Sequence, residues 1–282
     1  MSGKIDVLSH IKSIYKNTNV LIISATALLL LLLISYLRHI DNNLGKSEII
    51  SGYTLFFLIL LLMSFRIRKY LSVIPLFKVQ YWTKIHLIAG ISGVLIFFVH
   101  TEVLWPKGLY EQIMTSLFYM TVLSGLLGYI MQRIFPARLT DSGIEIIFER
   151  IPDQLAEIRK EVESIILDCT DNTKSDTLAR HYLETLDWYF MRPRFFLNHI
   201  RGGRQGQHWI VHQFTSVKRY LNNAEIEYLN KLLMHAHSKN QVDFHYALQG
   251  CMKAWLFFHI PVAIALLIFV LWHLLLINIY SV

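Results

Sequence analysis

The chain has 282 residues, 54% of them hydrophobic and 17% charged, with a net charge of +7. A soluble domain of this length does not need so much Leu, Ile, Val and Phe, so the composition points to a membrane protein. The basic excess does not argue for nucleic acid, because much of it sits in short stretches beside apolar runs.

Runs of about 20 apolar residues mark membrane spans. Five are expected, at 19–38, 49–65, 85–104, 113–134 and 254–280. The first is too long for a signal-peptide core and is followed by no small-residue cleavage site, so it is expected to stay. The second is short and extends into its flanks. Lys4, Lys12 and Lys16 precede the first span; Arg66, Arg68, Lys69, Lys78 and Lys84 lie between the second and third; Arg133 and Arg138 follow the fourth. The opposite loops hold only Lys46 and Lys107, offset by Asp41, Glu48 and Glu111. The positive-inside rule then predicts a multi-pass protein of the cell inner (cytoplasmic) membrane, with its N-terminus in the cytoplasm and its C-terminus outside.

Between the fourth and fifth spans lies a long polar stretch. The expected organisation is residues 1–135 as transmembrane helices 1–4, residues 136–253 as a cytoplasmic insert, and residues 254–282 as transmembrane helix 5. The alternation in 143–148 predicts a short strand. Pro152 opens a helix with Leu155, Ile158, Val162 and Ile165 at helical spacing. Further helices are expected at about 177–189, 208–221 and 224–237, and 243–253 runs straight into the fifth span. Arg192-Pro193-Arg194 and the stretch 201–206 punctuate a basic loop. The fold class expected is therefore all-α: a polytopic bundle of five transmembrane helices with a mainly helical soluble insert between helices 4 and 5.

Two cysteines, Cys169 and Cys251, form no CxxC or CxxCH. That excludes a cysteine-ligated iron–sulfur cluster within the chain and covalent c-type haem by the usual motif.

The chemistry lies in four histidines. His86 and His100 share the third span and His259 and His273 the fifth, each pair fourteen residues apart. At about 1.5 Å and about 100° per residue, that interval is roughly 21 Å along the axis and about 40° short of four turns. Each helix thus shows two imidazoles on nearly one face at two depths. Ionisable residues in hydrocarbon are costly and are usually there for function. Both spans run in the same direction, so His86 pairs with His259 and His100 with His273. Two bis-histidine sites of this kind suit two stacked, non-covalent haem b groups, with the histidines as axial ligands to iron. Gly90 and Gly93, and Gly125 and Gly128 in the fourth span, let a macrocycle or a neighbouring helix approach; ordinary helix packing uses such residues equally. Pro261, two residues after His259, leaves the carbonyl of Phe257 without its helical donor. Arg66, Arg68, Lys69, Lys84 and Trp82 on one side, and Trp105 and Lys107 on the other, are candidates for the haem propionates, or are interface anchors. His208 and His212, and His235 and His237, lack a partner at a familiar zinc spacing.

The stretch from His86 to His100, HLIAGISGVLIFFVH, with its partner interval His259 to His273, resembles the membrane domain of ferric-reductase-like and NADPH-oxidase-like proteins. That resemblance covers 49–134 and 254–280. It implies two b-type haems held between the third and fifth helices. The chain departs from the family pattern in having five spans, a large insert, and neither a glycine-rich dinucleotide fingerprint nor a flavin domain. The expectation is an electron-transfer cytochrome b subunit of a larger oxidoreductase. Its partners would be membrane lipid, and either quinol or a separate flavoprotein, iron–sulfur protein or cytochrome. Two alternatives stay open: a self-contained transmembrane reductase of ferric iron or oxygen, and a non-redox membrane scaffold or transporter.

Overall fold

A computed structural model of the chain describes residues 2–43, 45–65 and 79–280, with side chains described from residue 20 onward except 79 and 80. The basic stretch holding Arg66, Arg68, Lys69 and Lys78 lies outside the described residues. Among those residues the structure is mostly helical and contains no strand.

Five helices contain stretches long and apolar enough to cross a membrane. They are α1 (Ser2–Asn42), α2 (Ser47–Ser64), α3 (Val79–Thr101), α4 (Leu109–Asp141) and α10 (Asn223–Tyr280). Hydrocarbon offers no partner to backbone N–H and C=O groups, so such runs close their own hydrogen bonds as helices. Leu28, Leu29, Leu31 and Leu32 of α1 are 59–66% exposed, which suits lipid and not water. The chain is an all-α membrane protein with a helical polar insert between its fourth and fifth membrane-spanning helices.

It divides into two compact units, residues 1–123 with 260–282, and residues 124–259. The first unit holds α1, α2, α3, the start of α4 and the end of α10. α1 packs on α2 and α3, with Leu37 buried. Leu55, Ile96, Phe97, Phe118 and Leu266 form its core, where the Phe97 and Phe118 rings stack at 3.9 Å. Two long-range hydrogen bonds fix α10 here. The Tyr53 hydroxyl donates to Asn278 Oδ1 at 3.0 Å, and the Tyr110 hydroxyl donates to the carbonyl of Phe269 at 2.7 Å.

The second unit is built from the rest of α4, the insert and the first part of α10. The insert carries α5 (Ile151–Thr173), α6 (Thr177–His181), a π-helical turn (Tyr182–Leu186), α7 (Asp187–Phe190), α8 (Phe196–Arg201) and α9 (Gln205–Val217). Val162, Ile166, Leu178, Leu186, Tyr189, Phe190, Ile210, Phe214 and Leu232 are among the residues of its core. α5 starts at Ile151 and holds Pro152 in its first turn, where proline is tolerated, close to where the sequence predicts a helix to open. It ends at Lys174, held in the left-handed region at φ 55°.

Three details differ from expectation. No strand forms over 143–148; residues 144–147 carry no regular structure and Phe148–Arg150 is a 3₁₀ turn. A strand needs a partner edge, and here the carbonyl of Ile146 is taken instead by Gln249 Nε2 at 2.8 Å. Pro136 does not end α4, which runs on to Asp141. One lost backbone bond is outweighed locally: Phe135 is buried with Met131, Ala247 and Leu248, and Arg138 donates to the carbonyls of His199 and Ile200 at 2.6 and 2.7 Å. Finally, the expected helix at 224–237 and the fifth span are one continuous helix, α10, of 58 residues.

Candidate functional site

The four histidines lie where their interval predicts, His86 and His100 on α3 and His259 and His273 on α10, and all four are half-buried. His100 and His273 belong to the first unit. His273 stands near enough to His100 to act on it electrostatically. Its ring lies parallel to Tyr110 at 6.2 Å, and Tyr110 is itself bonded to the carbonyl of Phe269, one turn before His273. His86 sits beside the Phe65 ring at 5.1 Å. His86 and His259 fall in different units, so their pairing rests on the sequence interval alone.

A repeated device orients two of the imidazoles. Ser51 of α2 is 3.0 Å from Nδ1 of His100. Ser124 of α4 is 2.8 Å from Nδ1 of His259. In each case the next residue is glycine. A Cβ at Gly52 would lie 3.1 Å from Cε1 of His100, and one at Gly125 3.6 Å from Cε1 of His259. The serine engages one ring nitrogen while the glycine gives the adjacent ring carbon room.

The direction of the Ser51 bond follows from its surroundings. Its hydroxyl also lies 3.1 Å from the carbonyls of Ser47 and Glu48, which can only accept. With the hydroxyl proton committed to those carbonyls, the oxygen accepts from Nδ1–H, and the lone pair of His100 is placed on Nε2. A histidine whose Nδ1–H is held by a fixed acceptor is oriented and tautomerically set for metal ligation through Nε2.

His259 is braced a second way. The Trp255 indole stacks on it at 5.4 Å, and Trp255 Nε1 donates to the backbone carbonyl of Ser124 at 2.7 Å. Gly128 is required for this arrangement, because a Cβ there would run into the Trp255 ring.

The other expected site residues are placed less tightly. Gly93 is buried, yet an added Cβ would meet nothing within 4 Å, so the α3 face midway between His86 and His100 has room on it. An added Cβ at Gly90 would meet only Leu62, at 4.0 Å. Trp82 is half-buried on α3, one turn before His86. Arg66 and Arg68 lie outside the described residues. No group of three or more His, Cys, Asp or Glu that would hold a free metal ion occurs among the described residues. Bis-histidine ligation needs only two protein ligands per iron, so the lack of a larger cluster does not bear on it.

Sequence reasoning missed Ser51, Ser124 and Trp255. A Ser-Gly dipeptide occurs in the second, third and fourth apolar spans, and the sequence does not say which of them face a histidine. No family model, curated protein or solved structure matches this chain.

Proposed function

We propose that the chain is a two-haem b-type membrane cytochrome that carries electrons across the bilayer as a subunit of a larger oxidoreductase. His86 and His259 ligate one iron and His100 and His273 the other. The observation that carries this reading is the serine bond to Nδ1, found on one histidine of each fourteen-residue pair. A histidine kept only for helix packing needs no such orientation at two separate positions.

Bound haem with two strong axial ligands supplies one-electron transfer and leaves no open coordination site for oxygen. The protein's part is to hold and orient. Ser51 sets the tautomer of His100 and Ser124 anchors the His259 ring, Gly52, Gly125 and Gly128 admit the rings, and Trp255 and Tyr110 pack against His259 and His273. The charge pattern of the loops supports an inner-membrane location with the insert in the cytoplasm. The proposed exchange partner is quinol or a separate redox protein. Within the basic stretch, Arg192, Arg201 and Arg204 are exposed, as a contact for an acidic redox protein requires. Arg194 is instead committed within the insert, its guanidinium 3.8 Å above the Trp188 ring.

The test is a visible spectrum of the haem-supplied, purified chain. A low-spin b-type spectrum with about two haems per chain, extractable by acid acetone, is expected. His100→Ala and His273→Ala should remove the same spectral component, and His86→Ala and His259→Ala the other. A colourless preparation sinks the proposal, and loss of one component in both His86→Ala and His273→Ala overturns the pairing.

A further inference from the structure

The insert contains a second candidate site, independent of the histidine pairs. Arg138, near the end of α4, and Arg204, just before α9, line a cavity of about 250 Å³ together with His199, Gln207 and Asn240. No acidic side chain is among the lining residues.

Several features of this cavity are unexplained by packing. His199 and Asn240 are only 5% and 8% exposed, and each carries a buried polar atom with no hydrogen-bond partner, Nε2 and Oδ1 respectively. Buried polar atoms are normally satisfied, and orphans mark a bound water, ion or ligand. The N-terminus of α9 opens here with no side-chain cap. Its first-turn N–H groups, at Gln205, Gly206 and Gln207, precede the first intrahelical bond, which His208 makes to Arg204. Gly206 cannot carry a Cβ without running into Asn240 Oδ1, so the glycine lets the Asn240 amide pack against the start of α9. Arg138 spends one donor of each terminal nitrogen on the carbonyls of Ile200 and His199, which leaves the rest of its fork for another acceptor.

We propose that this cavity is a binding site for a phosphate monoester group. Two guanidiniums and an uncapped helix N-terminus supply positive charge and N–H donors suited to a tetrahedral dianion. His199 Nε2 is a further donor in the matching tautomer. Asn240 becomes one when its amide is turned by 180°, an assignment that only the bonding network decides. Burial, with Lys239 and Arg138 nearby, lowers the His199 pKa to about 4, so the ring is neutral at pH 7 and the charge comes from the arginines. The volume suits a phosphate with a short ester and is below the usual range for drug-sized ligands or dinucleotides. A soluble phosphomonoester and an anionic lipid headgroup share this chemistry.

The test uses the full chain in a phosphate-free maltoside detergent. Inorganic phosphate is titrated calorimetrically at constant ionic strength set with potassium chloride. Saturable binding of one phosphate per chain is expected, with competition by glycerol 3-phosphate. Arg204 is exposed, so Arg204→Gln leaves the fold intact and should weaken binding roughly tenfold, the scale of one lost charge-assisted bond. His199→Phe should weaken it also, with thermal unfolding recorded to show the variant is folded. In nanodiscs rich in phosphatidic acid, loss of phosphate binding assigns the site to a headgroup. Retained binding there assigns it to a soluble phosphomonoester. No saturable phosphate heat in the wild-type chain, or an unchanged affinity in Arg204→Gln, overturns the proposal and leaves a water-filled cavity.

Discussion

Ser124→Ala isolates one hydroxyl in the proposed ligand set. The serine carbonyl that receives Trp255 Nε1 belongs to the backbone and survives the change, as does the glycine that follows. What is lost is the 2.8 Å contact to His259 Nδ1. A net hydrogen bond is worth about 0.5–1.5 kcal/mol, and a buried donor left without an acceptor costs about 1–3 kcal/mol. At about 1.4 kcal/mol per factor of ten, the imidazole should hold its haem less tightly by roughly 10–100-fold, the range found when a group orienting a metal ligand is removed. The assay is transfer of haem to excess apomyoglobin, followed by difference spectra at the wavelengths of each component. Ser124→Ala should speed release of the component that His259→Ala abolishes and leave the other unchanged. Ser51→Ala should do the converse. If both serine variants act on the same component, or neither alters release, the serines are not ligand-orienting groups.

Three further outcomes follow from the insert and the loops. Lys239 and Asp243 form an ion pair with both side chains 0% exposed; Lys239→Met should therefore destabilise the insert by about 3–5 kcal/mol, while the double change Lys239→Met, Asp243→Leu should recover most of that, both read by thermal unfolding. The lowered pKa of His199, about 4 against the ordinary 6.5, comes first from burial and then from Lys239 and Arg138. The unfolded chain then binds more protons than the folded one between those values. Stability from this group is complete above about pH 6.5 and is lost as the pH falls towards 4, and His199→Gln should flatten that slope in proteolysis rates of the insert. A cysteine placed at Asn172, in the insert, should react with a membrane-impermeant thiol reagent only after the cytoplasmic face is opened; labelling from outside inverts the orientation.

Much of the architecture was legible because a bilayer imposes one rule: long apolar runs become helices. All five runs did. The ends were harder to read, because they depend on contacts that sequence does not display. Pro136 looked like a boundary, yet Phe135 and Arg138 find partners that carry α4 past it. The alternation in 143–148 looked like a strand, but Gln249 takes the Ile146 carbonyl that an adjacent strand would have taken. The short α8 was not anticipated, nor was the π-helical turn at Tyr182–Leu186, whose residues carry an ordinary helical pattern. The two fourteen-residue histidine intervals were readable in the sequence, and both fall on helices apolar enough to span a membrane. Ser51 and Ser124 were not, because a serine in a membrane helix usually bonds back to a carbonyl of its own helix, as Ser116 does here, and Ser51 does so beside its contact to His100.

The two serine–histidine contacts also impose an order on biogenesis. Ser51 and His100 are 49 residues apart, so both are in the membrane once the first three helices have emerged from the ribosome. Ser124 and His259 are 135 residues apart, and the whole insert must be made between them. Chains fold from the N-terminus during synthesis, at about 5–20 residues per second. The first half-site is therefore set several seconds before the second, and its imidazole waits for α10, which carries His273. At the proposed haem sites, loading at both positions would thus wait for α10 to arrive intact, and a chain truncated within the insert would carry one oriented histidine and neither of its α10 partners.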